Sequence, residues 1–569
     1  MRTVTTALDP IGLEVLRSRL EAVAEQASLA IEHTAVSPAV TESKDYSVTL
    51  MDADGRLVVG AGTVLYHFAA ASHSVRATIA RHGDTIRDGD VFIANDPHNG
   101  GGLHPQDVMV QRPVFAQGQR IGWVGVSAHM MDMGGMVVGS FAPAATECYQ
   151  EALRVPAVRL FREGVEVTEV WDIFRTNVRM ARLVEMDLRG LVAGAHFATE
   201  RLAALVDSVG VGDFEVGLRV IRDLTEAEMR RRISEIADGT YRWTSWTEFD
   251  EEFSEIPCTL TVDGDQLWFD FAGAAAQTEH FFNSKPYIIA SELGVMLWLL
   301  MASDLPFNDG VLAVFDVMCP EGTIVNATPP APIGAAHMHV GLNAATVALS
   351  ALGLALAASP DAPARAYVSA PGGDSALGNQ VWSWALPDGT ADAFIPFDGN
   401  WVGAPASEGV TGSISGSSPA ACAATGASST SRCSRRGSRC WCWSDVPAEG
   451  RSVPGGTGPA RATTSRSGPT GSLPCTGRCS GCGAGSRSRG SPGGAPGRLR
   501  RWPSPAPTAR PRCSPCTRRA CESTPATTTR SGCRAPAASV IRSTATPPAW
   551  RPTWSTVGST RTTRRRCTA

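Results

Sequence analysis

Cysteine is scarce in most of this sequence. Only Cys148, Cys258 and Cys319 precede position 421. Three scattered cysteines argue against a disulfide-stapled secreted domain and favour a reduced, cytoplasmic protein. The N-terminus, MRTVTTALDPIG, lacks the apolar core of a signal peptide, and the longest apolar run, residues 288–302, is too short to span a bilayer. We therefore expect a soluble intracellular protein that does not bind membranes.

Positive charge is also scarce outside the C-terminal part. Residues 421–569 hold 25 Arg, no Lys and three acids, a net +22 within an overall charge of −4, which leaves −26 for residues 1–420. An acidic body argues against nucleic acid or an anionic membrane as its partner. Common signatures of nucleotide binding and serine hydrolysis are missing as well, because the sequence has no GxGxxG fingerprint, P-loop or GxSxG elbow.

The first 415 residues read as one large α+β domain of strands and helices. Apolar positions at helical spacing predict an amphipathic helix over residues 11–33, and strand-like runs at 46–51 and 57–59 flank a DADG turn. Further strands are predicted at 91–94, 108–115 and 121–127. Helices are expected over residues 69–81, 181–209, 214–237, 284–301 and 341–358. No linker composition interrupts residues 1–410, so we expect one domain of two closely packed lobes at most.

Histidine and aspartate are concentrated in two glycine-rich loops that follow predicted strands, NDPHNGGGLHPQD and SAHMMDMGG. His104 and Asp107 form one His-x-x-Asp pair, and His129 and Asp132 form a second about 25 residues later, with Asp96 close to the first. Two imidazoles and two carboxylates suit Mn, Fe, Zn or Mg with positions left open for water or substrate. The alternative is that each histidine only caps its loop by hydrogen bonding.

Other polar residues could join this site or serve the fold. Asp45 and His67 lie at predicted strand or helix edges upstream and fit either interpretation. Glu147, with Glu151, begins a helix, where a carboxylate can stabilise the first turn or act as an acid or base. His337 and His339 would share one face of a strand as paired ligands, but their surroundings favour a loop that enters a helix.

The motifs resemble those of a known family, the B subunits of ATP-dependent hydantoinases and 5-oxoprolinases, which also include the large metal-bearing subunit of acetone carboxylase-type enzymes. The resemblance covers about residues 9–410. Its pieces are DPIGLEVLRSRLEAVAEQA at 9–27, SPAVTESKDYSVTLMDADGRLV at 37–58, GDVFIANDPHNGGGLHPQDV at 89–108, AHMMDMGG at 128–135, GSFAPAATECYQEALRVP at 139–156, FNDG at 307–310 and PEGTIVNATPPAP at 320–332.

This resemblance implies a catalytic subunit that hydrolyses a cyclic amide such as hydantoin, N-methylhydantoin or 5-oxoproline, with ATP used by a partner hydantoinase A-type ATPase subunit. The alternatives are a ketone carboxylase subunit and an inactive remnant. It implies a divalent metal, Mn or Zn foremost, with His104, His129 and Asp132 as ligands and with Asp96 and Asp107 close by. Together with the residue patterns above, it leads us to expect Asp96 as a further ligand. Asp45, His67, Asp107 and Glu147 are the candidate catalytic groups. The chain departs from the family's HHxD at His129–Asp132, and its GGGLHPQD is one residue longer than the usual GGTHLPD.

The C-terminal part, residues 416–569, reads as GC-rich DNA translated out of frame. It is built almost entirely of Arg, Pro, Ala, Gly, Ser, Thr and Cys, and two of its segments can be back-translated so that one shifted frame gives family-like text. The family's closing GGGGYGDP-type motif is missing from the printed frame. We therefore predict an insertion or deletion of nucleotides between about Gly412 and Ser428, and a disordered tail after it.

Overall fold

A computed structural model describes residues 8–249 and 252–367, together with the backbone of short strands farther along the chain. All of these lie in the first of two compact units, residues 1–462. The predicted disordered tail lies outside the described residues, except for one backbone hairpin between Ser434 and Trp441.

The predicted α+β class is confirmed. The helices are α1 Pro10–Thr34, α2 Pro38–Thr41, α3 Tyr66–His82, α4 Cys148–Glu151, α5 Thr168–Asn177, α6 Ala181–Val209, α7 Val211–Ile233, α8 Pro286–Met301, α9 Asp309–Leu312 and α10 Leu342–Ala357. Short 3-10 turns lie at Gly83–Thr85, Pro97–Asn99 and Pro363–Tyr367, and a π-helical turn at His337–Gly341 leads into α10.

The strands form two main sheets. The first sheet contains β1 Tyr46–Asp52, β2 Leu57–Gly62, β3 Val91–Ala94, β4 Asp107–Ala116, β5 Gln119–His129, β6 Val158–Arg162 and β7 Val165–Glu166. The second contains β8 Gly239–Phe249, β9 Glu252–Asp263, β10 Gln266–Asp270 and β11 Phe315–Met318. Backbone hairpins follow at Trp382–Ala385 with Ala391–Phe394, Val402–Ala404 with Ser413–Ser415, and Ser434–Arg436 with Arg439–Trp441.

The first sheet is antiparallel, in the order β2-β1-β5-β4-β3-β6-β7. Even-numbered residues of β4 and β5, such as Val108 and Val124, join a core with helices α1 and α6. Odd-numbered residues, such as Met109 and Trp123, face α3 and α8 in a second core. Since successive side chains of a strand point to opposite faces, residue parity decides which layer each side chain enters.

The N-terminal helix confirms its predicted position. Asp9 accepts a hydrogen bond from the Gly12 backbone N–H at 2.6 Å, and Pro10 occupies the first turn, where its missing N–H has no consequence. The buried stripe of α1 packs closely against α6, because a Cβ on Gly194 would lie 2.4 Å from Cγ1 of Ile31. The predicted hairpin is also confirmed as β1 and β2.

The second sheet, ordered β11-β10-β9-β8, packs against α10, and α8 lies between α10 and α3. Both buried helices predicted from the sequence are therefore confirmed. Among the described helices, His337–Ala357, with a mean hydropathy of 1.8, is long and apolar enough to cross a membrane, but 61 % of it is buried inside the protein. That burial is typical of a core helix.

Candidate functional site

Three polar residues form a row across neighbouring strands at one end of the first sheet. Asp107 begins β4 and pairs with His129, which ends β5. The backbone N–H of His129 donates to the carbonyl of Asp45 at 3.1 Å, just before β1 begins. Because these odd-numbered residues lie opposite one another, their side chains share the face that packs against α3 and α8.

Two more histidines approach the row from above the sheet, and Asp107 is the hub of the cluster. Oδ1 of Asp107 lies 2.9 Å from Nε2 of His104 and 3.4 Å from Nδ1 of His129. Its Oδ2 lies 3.3 Å from Nε2 of His67, which comes from the first turn of α3. The four side chains are only 2–4 % exposed, so bulk water is excluded from their contacts.

Glycine is required where the loop before β4 turns back on itself. A Cβ on Gly101 would lie 2.2 Å from the backbone nitrogen of Asp96, and a Cβ on Gly102 would lie 2.4 Å from the carbonyl oxygen of Asp107. The hydroxyl of Tyr287, from α8, donates to the Gly102 carbonyl at 2.7 Å. These contacts hold His104 against the sheet edge.

The tautomer of His104 can be assigned from its partners. Its Nδ1 lies 3.2 Å from the carbonyl oxygen of Gly334, which can only accept, so this nitrogen carries the proton. Nε2 of this ring then faces Oδ1 of Asp107 at 2.9 Å and Nδ1 of His129 at 3.2 Å. Lone pairs that face one another at these distances repel unless a cation or an extra proton lies between them.

A divalent ion fits this donor set. Bonds of about 2.0–2.2 Å to a tetrahedral or octahedral ion would place neighbouring ligand atoms about 3.0–3.5 Å apart. The three separations among His104, Asp107 and His129 run from 2.9 to 3.4 Å. A carbonyl that fixes the second nitrogen of a ligating histidine is also the usual support for a metal ligand.

Asp107 supplies the negative charge of the cluster. Burial alone would raise the pKa of Asp107, but His104 and His67 outweigh it and hold the pKa well below its usual range, so the carboxylate is ionised. At His67 and His129, burial lowers the imidazole pKa, but the Asp107 carboxylate raises it by more, so both pKa values lie above the ordinary value. At Asp45 burial dominates and raises the carboxyl pKa.

His337 adds a fourth imidazole from the π-helical turn. The centroids of the His337 and His104 rings are 4.8 Å apart. A ring nitrogen of His337, a ring nitrogen of His104 and a carboxylate oxygen of Asp107 all lie within 4.8 Å of one another. Asp45, His67 and Asp107 form a second group of the same spread. The set of His104, Asp107 and His129 is tighter than either of these groups, since its three separations are 2.9–3.4 Å.

Two carboxylates predicted as ligands serve the loops in this structure. Asp132 is fully buried and accepts from the backbone N–H groups of Gly134, Gly139 and Arg179 at 2.9–3.1 Å. Asp96 accepts from the His98 backbone N–H and from the Asn99 side-chain amide. The carboxylate that the fold turns toward the histidines is Asp107, which the sequence placed among the candidate catalytic groups.

Glu147 is exposed, and its side chain caps the first turn of α4 in a capping box with Gln150. Among the described contacts, none joins it to the buried cluster. Glu151, named beside it in the sequence, is fully buried and accepts from the backbone N–H groups of Ile333 and Gly334 at 2.7 and 2.5 Å. It thereby holds the Gly334 carbonyl against His104, a role that the sequence did not reveal.

The histidines of GAAHMHVG separate in the structure. His337 joins the cluster, whereas His339 contacts Thr247 on the second sheet. The interpretation of this segment as a loop entering a helix is correct, and the i, i+3 spacing that brings His104 and Asp107 together was visible in the sequence. The proximity of His337 was not visible, since 233 positions separate it from His104.

The fold brings two histidines and one carboxylate together in a buried cluster at the ends of β4 and β5, two interior strands of the antiparallel sheet. The chain belongs to the hydantoinase B/oxoprolinase family, whose sequence profile matches residues 9–412. The resemblance noted in the sequence is thereby confirmed.

Similar proteins include hydrolases and a carboxylase. Caprolactamase subunit beta from Pseudomonas jessenii is 29 % identical over 368 residues, which are 64 % of this chain and 62 % of that protein. The crystal structure of the ATP-dependent caprolactamase from that organism superposes with a TM-score of 0.64 at 24 % identity, covering 72 % of this chain and 69 % of that one. A nucleotide-free acetone carboxylase structure gives a TM-score of 0.63 at 21 % identity, covering 71 % and 55 %.

The alignment therefore spans less than two thirds of the length of the curated relative. The two solved structures are too distant in sequence to indicate more than the shared fold.

Proposed function

We propose that this chain is the substrate-bearing subunit of an ATP-dependent enzyme that opens a cyclic amide with the help of a divalent metal. The observation that carries the proposal is the buried set of His104, Asp107 and His129, whose ligand atoms have the spacing of a metal site. The name and similarity of the caprolactamase subunit support the amide substrate class. An ATPase subunit of the hydantoinase A type is the proposed partner, in the cytoplasm.

A divalent ion at this position, Mn or Zn by ligand type and Mg or Fe as alternatives, would polarise the amide carbonyl and stabilise the negative charge that develops on its oxygen. The chain's own residues prepare the site. Asp107 keeps its negative charge, and the Gly334 carbonyl holds His104 with its Nε2 toward Asp107 and His129. Phe141 stacks on His129 with ring centroids 5.7 Å apart and excludes water from that side.

Asp45 is the carboxylate of the cluster that remains partly exposed. In this proposal Asp45 accepts the proton of the attacking water, because its raised pKa makes it a stronger base than an ordinary aspartate. His67 binds the second oxygen of Asp107 and so fixes the orientation of the carboxylate. ATP would be used on the partner subunit to activate the amide oxygen.

The second candidate is a ketone carboxylase subunit. The similarity to the acetophenone carboxylase delta subunit of Aromatoleum aromaticum, 25 % identical over 295 residues, favours it. Both reactions need a polarised carbonyl oxygen, so one site could serve either outcome. A third possibility is an inactive remnant, if the frame change removed part of the domain.

An assay with a partner ATPase subunit separates these functions. The printed and frame-corrected chains are each combined with the partner, and ATP turnover is measured with hydantoin, N-methylhydantoin, 5-oxoproline, caprolactam, or acetone with bicarbonate. Product analysis identifies ring opening or carboxylation, and His129→Ala serves as the control that removes a metal ligand. We expect amide-stimulated turnover and bound metal. A frame-corrected protein that carries metal but is stimulated by none of these compounds would contradict both enzyme functions.

A further inference from the structure

Glu292 is the only charged residue of α8, a helix whose sequence is PYIIASELGVMLWLLM. Its side chain is 1 % exposed, and within the described part of the protein its Oε2 has no hydrogen-bond partner. A buried carboxyl that only stabilised the fold would be expected to fill both oxygens, as Glu151 does with two backbone N–H groups. Oε2 of Glu292 therefore needs either a bound ligand or a proton of its own.

One neighbour of Glu292, His337, also contacts a residue of the proposed metal site. Its Oε1 is 3.4 Å from Nδ1 of His337, whose ring contacts that of His104. Tyr66, from α3, is close enough for the charge of Glu292 to affect it, and its buried hydroxyl also lacks a partner among the described residues. Tyr66 directly precedes His67, which contacts Asp107.

Burial favours the uncharged forms of Glu292, Tyr66 and His337. Burial raises the pKa of Glu292 well above its ordinary value, with no cation to oppose the increase. Burial, with a smaller contribution from Glu292, raises the pKa of Tyr66. Burial and the neighbouring His104 lower the pKa of His337. A carboxyl in this setting keeps its proton and can donate it.

We infer that Glu292 donates a proton to the ring nitrogen when the cyclic amide opens. This inference rests on the proposed function. The C–N bond breaks, its electron pair goes to nitrogen, and the Oε2–H of Glu292 supplies the proton. The attacking water releases a proton, and the Glu292 carboxylate then takes up a proton in its place. The net change is the addition of one water to the amide, together with the hydrolysis of one ATP to ADP and phosphate by a second water.

The test uses Glu292→Gln, which keeps the shape of the side chain but has no acidic proton. Glu255→Gln, at an exposed position of β9, is the matched control. Bound metal is measured first, and infrared difference spectra then follow the C=O stretch of a protonated carboxylic acid. Steady-state kinetics use the cyclic amide that gives the highest turnover among hydantoin, N-methylhydantoin, 5-oxoproline and caprolactam.

We expect Glu292→Gln to lose one carboxylic-acid band, keep its metal and KM, and lower kcat by about 10²–10⁴-fold, the usual contribution of a general acid. Wild-type kcat should fall at high pH as Glu292 loses its proton, and the variant should lack this decrease. Glu255→Gln should match the wild type in every measurement.

Two results would overturn the inference while leaving the proposed function intact: an unchanged kcat in Glu292→Gln, or a wild-type spectrum without the band. A wild-type complex that opens none of these amides would overturn the proposed function and this inference together.

Discussion

Replacement of Asp107 by Asn is the most direct test of the proposed metal site. The substitution keeps the size of the side chain but removes the negative charge that lies 2.9–3.4 Å from three imidazoles. Loss of a group that merely orients a metal ligand weakens affinity about 10–100-fold, so loss of an anionic ligand should cost at least about 100-fold.

The effect can be expressed as stability. An ion at 100 times its dissociation constant stabilises a protein by about 2.7 kcal/mol, whereas a 100-fold weaker site gains only about 0.4 kcal/mol at the same concentration. Urea unfolding of the metal-free protein, with and without added Mn or Zn, should therefore show most of the metal-dependent stabilisation in the wild type and little in Asp107→Asn. Elemental analysis measures stoichiometry in parallel.

Asp132→Asn is the matched control, because the sequence motif makes the two aspartates equivalent. Asp132 binds backbone N–H groups of its loop and lies beside Arg179. Its replacement should leave about one buried donor unpaired, at a cost of roughly 1–3 kcal/mol, without loss of metal. If Asp107→Asn retained wild-type metal affinity while Asp132→Asn lost it, our assignment of the ligands would be wrong.

Three further outcomes are expected. Gly101→Ala should destabilise the protein by more than about 3 kcal/mol, because the new Cβ would meet backbone at 2.2 Å, whereas Gly212→Ala, with open space in α7, should be neutral or stabilising in urea unfolding. Burial raises the pKa of Glu151 to about 7 from 4.5, so its contribution to stability is complete below pH 4.5 and is lost as pH rises through about 7. Between pH 4.5 and 8, the free energy of unfolding of the wild type should therefore fall by roughly 3 kcal/mol relative to that of Glu151→Gln. Parallel plots of unfolding free energy against pH for the two proteins would refute this. Because arginine is frequent after residue 421, trypsin should trim the chain to about residue 415, and resequencing of the gene should find the insertion or deletion. A trypsin-resistant fragment that extends past residue 500, or an intact reading frame, would contradict the frame-change hypothesis.

Local sequence patterns were sufficient for most elements of the domain. The apolar periodicity predicted α1, and the DADG turn predicted the hairpin of β1 and β2. Both features depend on residues that are close in sequence, so they can be recognised in the sequence itself. The α6 and α7 helices were also predicted, although α7 begins at Val211 and ends at Ile233, earlier than the predicted 214–237. Helix ends depend on which backbone groups find partners, and those partners often lie elsewhere in the fold.

The sequence by itself determined that histidines and carboxylates follow strand ends in glycine-rich loops, and that His104 and Asp107 are close in space. Only the tertiary structure decided which carboxylate meets the histidines. Asp107 starts a strand opposite His129, whereas Asp132 follows one and is held by its own loop and by Arg179. The direction of each side chain thus depends on hydrogen-bond donors and strand pairing from distant segments, which leave no local trace in the sequence. The same reason explains why the contacts of His337 with His104 and of Glu292 with His337 became visible only in the folded protein.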